Sequence, residues 1–473
     1  MKSSKKVLSI LLAGVMALST AACSGNGKNS SSAGPASGSS ANANNPDNSG
    51  TSDFGTLKLG DHKDVKASLK VITNRTDIVD TKLKGYVTEF QKDYPNVNIT
   101  YESITDYDKT MTTRLTTKNW GDICMIPSTV KNSEFGDHFI SFGKVDSLKG
   151  TYNFTTAKAY DGECYGIADF GNVEGIVYNK KVFADAGITS IPKTPDEFLK
   201  ALNDIKTKSD GKVIPLYTNF HAGWTLGKWD DAIGIPATGD ADFMNIKLAK
   251  MKNPFAKSAF PAGTGPYAVW DTLYEAVKQK LVEADPTTSD WESSKPKMNN
   301  GQIGTMVLGS WAVSQMQGAG SHKDDVSFMP FPITVNGKQY SSMGADYCYG
   351  INVNSSKDNQ LASMLYVKWL TEKSNFASSE GGVSAVKGAA LPDSLSAFKD
   401  VTLLEDTPSK SGEEDVYTNV NNDSKLSISG DNGARGQAIV EAAMKGSKTM
   451  DQIADEYNRA WSDAQAKNNV QAQ

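Results

Sequence analysis

Apolar positions along this chain follow two rhythms, and they first alternate clearly near residue 69. Leu69 to Thr73 (LKVIT) is a short apolar, β-branched run of the kind that forms a strand. Leu83, Tyr86, Val87, Phe90 and Tyr94 then recur at three- and four-residue spacing, which predicts one face of a helix. Pro95 ends it. Val97, Ile99 and Tyr101 alternate, giving a second strand. A helix is predicted over about 105–117, with Tyr107, Met111 and Leu115 on one face. Asp122 to Ile126 (DICMI) forms a third strand that stops at Pro127. This strand–helix–strand–helix–strand order implies a parallel sheet with helices on both faces. Ligands of such sheets bind beyond the carboxyl ends of the strands.

Further along, GIVYN (175–179) reads as a strand, followed by a short basic helix, KKVFADAG, that closes on glycine. The next helix opens with strong local signals. Thr194 suits the N-cap, Pro195 the first helical position, and Glu197 the third position of a capping box. Phe198, Leu199, Leu202 and Ile205 give it an apolar face. The last helix carries Met450, Ile453, Ala454, Tyr457 and Trp461 on one side, with Thr449 and Gln452 as its capping box.

The N-terminus has a different pattern. Lys2, Lys5 and Lys6 precede the apolar run Val7 to Leu18, and small residues lead to Cys23. This is an export signal, too short in its apolar part to span a bilayer. Residues 1–22 are therefore expected to be removed. Thr20 to Cys23 (TAAC) resembles a lipobox, with Thr20 where an apolar residue is usual, so Cys23 is the candidate for lipidation. Plain secretion is the alternative. Residues 23–65 are mostly Ser, Gly, Asn, Ala and Pro, too poor in apolar surface to offset the entropy of ordering. They are expected to form a lipid-anchored, disordered linker reaching on the order of 35 Å.

Charge narrows the partners. The chain carries −5 formally, and loss of the three leader lysines takes it to −8. No basic block points to nucleic acid. Cys124, Cys164 and Cys348 show no metal-ligand spacing and are expected to be buried, unpaired strand residues. No nucleophile elbow, zinc-protease motif or phosphate-binding loop is present, and no two of the four histidines have ligand spacing. No cofactor or metal is expected. The segment 421–433 (NNDSKLSISGDNG) is oxygen-rich but lacks the order of a calcium loop, and reads as a plain loop.

One sequence of motifs goes further. YNKKVFADAG…PKTPDEF (178–198) strongly resembles the first inter-lobe crossing of the extracellular solute-binding proteins of family 1, the maltose-binding-protein-like substrate-binding lipoproteins of carbohydrate ABC importers. IPLYTNFHAGW (214–224), MNNGQIGTMVLGSWAVSQM (298–316), DVSFMPFPI (325–333) and GADYCYGINVNSSKDNQLASMLYVKWL (344–370) follow in the family's order. The resemblance implies an α/β, two-lobed periplasmic-binding-protein-like fold of type II. Each lobe would be a mainly parallel sheet flanked by helices, the two joined by hinge strands. Carried over by motif, residues 66–175 plus 309–353 form the N-terminal lobe and 176–308 plus 354–467 the C-terminal lobe. It also implies a monomer that captures a carbohydrate by hinge closure and delivers it to ABC permease subunits. Contact with the membrane would run through the lipid anchor alone, on its outer face. Two other readings stay open: an exported carbohydrate-active hydrolase, or the same fold serving another polar solute or sensing.

Sugar recognition needs flat rings against C–H faces and fixed donors and acceptors for hydroxyls. Asn74, Arg75 and Asp77 follow the first strand and pack poorly, which favours a ligand role over an internal Arg–Asp pair. Asp122 reads as a structural brace at its turn. By resemblance, Asn172 lies just before the crossing, Asn219 and Trp224 in the second lobe's polar loop, and Asp346 and Tyr347 between hinge strands. Trp229 is a lesser candidate. Trp311, after a glycine and a serine, resembles the family tryptophan that stacks on sugar. Trp270, Trp291 and Trp369 lie at helical spacing and are assigned to packing.

Overall fold

The computed structural model describes residues 53–473 apart from 106, 411 and 430–432. The expected export signal, Cys23 and the linker up to residue 52 lie outside the described residues. The linker ends earlier than expected. Phe54 and Leu57, the large apolar side chains in a polar stretch, are buried in the first core. The Phe54 ring meets Phe142 and Tyr152 with centroids 5.2 and 5.4 Å apart, and the Lys368 ammonium lies 4.7 Å from it.

Two sheets organise the chain. The first runs in the order Val97–Ser103, Ala67–Thr73, Ile123–Met125, Cys348–Ile351 and Ile167–Ala168. Its first three strands are parallel, as the strand–helix alternation predicted, with Ala67 opposite Val97 and Ile72 opposite Cys124. Cys348–Ile351 joins antiparallel. The second sheet runs Thr402–Leu404, Tyr340–Ala345, Gly171–Asn179, Ile303–Gly309 and Ile214–Leu216, with Val326–Met329 also paired to Gly171–Asn179. It is mixed, because the long strand Gly171–Asn179 runs antiparallel to three neighbours.

That strand is the crossing element. Its leading end pairs Asn172 with Gly344, and its far end pairs Ile176 with both Val307 and Met329. The chain returns to the first sheet between Ala345 and Cys348. The packing therefore differs from the expected division at 309 and 353. The helix Trp311–Gln317 and the strand Val326–Met329 lie in a core shared with the second sheet. Helix Lys357–Glu372 buries Met364, Leu365, Tyr366 and Trp369 in the first core. It starts within six residues of a first-sheet strand, too short a link to carry it away.

Local signals explain the helix ends. Thr194 Oγ1 accepts from the Glu197 amide at 3.2 Å, with Pro195 in the first turn. The Glu197 carboxylate reaches the Lys193 amide instead of closing the box on Thr194. Thr449 and Gln452 form the full reciprocal box. Asp122 braces the first sheet as expected, accepting from the Lys70 amide, the Ser355 hydroxyl and the Asn359 amide group. Cys124, Cys164 and Cys348 are free, buried strand residues. Part of the expected loop 421–433 is helical instead, since helix Val416–Ser424 seats Val420 in the core.

Candidate functional site

The site is best followed from the crossing strand outward. Asp169 is almost fully buried just before it, and its carboxylate accepts from the Phe170 and Tyr347 amides at 2.7 and 3.1 Å. Asn172 donates through Nδ2 to Asp346 Oδ1 at 2.8 Å. Ser310 Oγ accepts from the Val173 amide at 3.0 Å and lies 3.4 Å from Asn172 Oδ1. Burial, with Asp346 close by, pushes the Asp169 carboxyl well above the usual carboxylate range. Burial also raises Asp346, against the opposing Asn172 hydrogen bond and the Arg75 charge. Two carboxylates and an amide thus meet where the two sheets are joined.

The residue after Ser310 begins an aromatic wall. Trp311 lies 5.9 Å from Trp224 and 5.8 Å from Trp291, and Trp224 lies 5.2 Å from Trp291, between ring centroids. All three are half-buried. Each comes from a different helix start, Trp224–Asp231, Trp291–Asn299 and Trp311–Gln317. A glycine makes this possible. A Cβ on Gly309 would sit 2.6 Å from Trp311 Nε1, so only glycine lets the indole fold back over the strand end. Behind the wall, Lys228 bonds Asp231 at 2.7 Å and approaches Glu174 at 3.6 Å. Burial raises the Glu174 carboxyl to about 7 despite Lys228.

On the first sheet, Arg75 holds Asp77 through both carboxylate oxygens, at 2.9 and 2.8 Å. It also holds Glu380 at 2.6 Å, and Lys82 takes the other Glu380 oxygen at 2.8 Å. Burial disfavours the Arg75 charge, but Asp77 and Glu380 more than offset this and the net shift is upward. The internal pair set aside in the sequence reading is therefore present, extended by a third residue. Asn74 is half-buried beside it, and its side-chain oxygen has no partner among the described residues. Tyr347 packs edge-on against Tyr107 and its hydroxyl donates to Asp108 at 3.3 Å.

The structure brings Asn172, Asp346, Trp311 and Trp224 into one contiguous group, with Tyr347 and Arg75 bordering it. Asn219 begins the tight turn that leads to Trp224, with φ of 52°, and is fully buried; its backbone amide donates to Glu283, while its side-chain amide finds no partner among the described residues. Trp229 is buried against Phe331 and faces no groove. Trp270 and Trp369 pack in cores as expected. Trp291 also packs, half-buried, against the core shared with the second sheet, and its place beside Trp224 and Trp311 is what the sequence reading missed. The available signal was Asp290, whose side chain caps the helix and fixes Trp291 at its half-buried first position.

Residues 75–375 match the family model for bacterial extracellular solute-binding proteins. The chain belongs to that family. Its location is accordingly extracytoplasmic, and its fold is the two-lobed type II binding-protein architecture. A manno-oligosaccharide specific solute-binding protein from Bifidobacterium animalis subsp. lactis, solved with mannotriose, is 46% identical with a TM-score of 0.76, over 88% of this chain and 99% of that one. An ABC-transporter binding protein from the same organism, solved with mannobiose, is 46% identical with a TM-score of 0.77, over 89% and 99%. The multiple sugar-binding protein of Streptococcus mutans is 28% identical over 199 residues, 40% of this chain. That match spans less than half of the curated relative, 45% of its length.

Proposed function

We propose that this solute-binding protein captures an intact, uncharged oligosaccharide, of the manno-oligosaccharide class, and delivers it to an ABC permease. The wall of Trp224, Trp291 and Trp311 carries this reading. It offers ring faces to pyranose C–H groups directly beside the Asn172–Asp346 pair, whose donors and acceptors suit hydroxyls. The cations near the group are already matched: Arg75 and Lys82 by Asp77 and Glu380, Lys228 by Asp231 and Glu174, and Lys295, which lies 5.3 Å over the Trp291 ring, by Glu292. An anionic solute would have to displace those partners, so a neutral one is favoured. The 46% identity to mannose-oligosaccharide binders supports the class.

The mechanism we infer is closure about the crossing strand and the Ala345–Cys348 return. A sugar touching both sides stabilises the closed form by its differential affinity, and the permease reads that form. Bond cleavage has no role in this reading, and no cofactor is assigned. The lobes we propose follow the two sheets, with Asn172, Trp224, Trp311, Asp346 and Tyr347 as contacts and Asn74, Arg75 and Asp77 at the rim. A lipid on Cys23 would tether the monomer to the outer face of the membrane. Titration calorimetry of the mature protein with mannobiose and mannotriose tests the binding reading. Saturable heat without new reducing ends is expected, whereas turnover would favour a hydrolase.

A further inference from the structure

A recess opens beside the helix that carries Trp311. It encloses about 340 Å3 between the helix Trp311–Gln317 and the segment around 378–394. That is at the lower end of ligand pockets, about 300–1,000 Å3. One wall is Ser314 and Gln317; the other includes Ser378, Glu380 and Asp393. The second wall is composite. Val313 and Met316 of the helix share a core with Leu391 and Leu395, which flank Asp393, whereas Phe376 and Ala377, just before Ser378, pack in a separate cluster with Ile78 and Leu83.

The lining fits a polyol. Ser378 and Asp393 make no side-chain hydrogen bond to the described residues, so a donor and an acceptor stand unused. Glu380 is held rigid by Arg75 and Lys82, leaving its position set before any ligand arrives. No aromatic ring lines the space, so this is no stacking site. Its position matters as much as its chemistry. Ser314 Oγ bonds the Trp311 carbonyl at 3.4 Å, one helical turn from the wall, or about 5.4 Å.

We propose that this recess is an extension subsite that takes one further hexose unit of an oligosaccharide whose first units lie on the tryptophan wall. The proposal rests on the oligosaccharide reading above and adds chain-length preference to it. It also gives the Arg75–Glu380–Lys82 network a purpose, that of fixing one wall of the subsite.

The test compares mannobiose and mannotriose by calorimetry on the wild type, Ser314→Trp and Asp393→Asn. Ser314 is exposed on its helix, so a large ring there fills the recess without entering a core. Wild type should prefer mannotriose. Ser314→Trp should weaken mannotriose by about ten-fold, or about 1.4 kcal/mol, and change mannobiose less than two-fold. Asp393→Asn should reduce the same preference by a smaller factor. Equal affinity for both lengths in the wild type overturns the subsite and leaves oligosaccharide binding standing. An equal loss for both lengths in Ser314→Trp also overturns it. Failure of both sugars to bind the wild type overturns this proposal together with the reading beneath it.

Discussion

Single side chains decide affinity here, and they divide by whether a neighbour already claims them. The Trp311 ring keeps a half-exposed face and leans on two other indoles. Trp311→Ala should reduce affinity for mannotriose by on the order of 30-fold, roughly the 2 kcal/mol of an aromatic hot spot. The far-ultraviolet spectrum should be unchanged. Binding should shift tryptophan emission in the wild type, and that shift should shrink in the variant. Arg75 makes the opposite case. Its guanidinium is committed to Asp77 and to Glu380, whose side chain is only 8% exposed. Arg75→Ala should therefore lower unfolding stability by roughly 1–3 kcal/mol, less than a fully buried pair because Lys82 remains. Arg75→Lys should recover little, since a point charge cannot fork across Asp77. A melt of each variant without sugar checks this. The sequence revealed what was local: the Thr449 box closes on Gln452, three positions away. It did not reveal Glu380, which lies 305 positions from Arg75. It did not reveal that Asn219, in a polar loop, is fully buried. A left-handed backbone at that residue turns the chain inward.

The crossing strand shows what an element adds. GIVYN was legible as a strand from its apolar run, because both faces of its far half are buried. Its leading half was harder to read. Asn172 and Glu174 look like surface alternation, yet they face a site enclosed by Tyr340–Ala345 and the Trp311 helix, segments more than a hundred residues away. Burial there makes pH a probe of the element. Glu174 is raised from 4.5 to about 7, so the folded state holds its proton where the unfolded chain has lost it. Its contribution is full below about 4.5 and is lost as pH rises to about 7. Asp271 and Asp406, raised to about 6 by burial, act with the same sign over a lower window. Asp77, lowered by its bond to Arg75, acts oppositely: its contribution is lost as pH falls below 3.8. The melting temperature should therefore peak near pH 4, between these limbs, and decline toward about pH 7. Glu174→Gln should flatten the decline between pH 6 and 7, above the window of the two aspartates. An unchanged slope would place the Glu174 carboxylate in water.

At the scale of the whole molecule, the chain passes between the two sheets at Gly171–Asn179, at the Ala345–Cys348 return and again between Glu372 and Thr402. Fold class was legible because five motifs in order imply a topology, even where each alone is ordinary structure. The partition of the chain between cores was not, since it depends on which sheet a helix falls back upon. Lys357–Glu372 shows this, its apolar face being compatible with either sheet until the short link from Cys348–Ile351 is considered. That architecture leads to the last expectation. A seam spanned by few segments bends at low cost, while each sheet with its helices stays rigid. A ligand that touches the tryptophan wall on one side and the Asp346–Tyr347 region on the other joins the bodies, so binding should compact the molecule. A single compact body of this length has a radius of gyration of about 22 Å by chain-length scaling. Small-angle scattering of the unliganded protein should give a larger value, and saturating mannotriose should reduce it. The same saturation must raise thermal stability, by about 2.7 kcal/mol at a hundred times Kd, because only the native state binds. A stability gain with no change in scattering would mean that sugar binds without closure. The site would then belong to one lobe, and a permease would need some other cue than shape to tell loaded from empty.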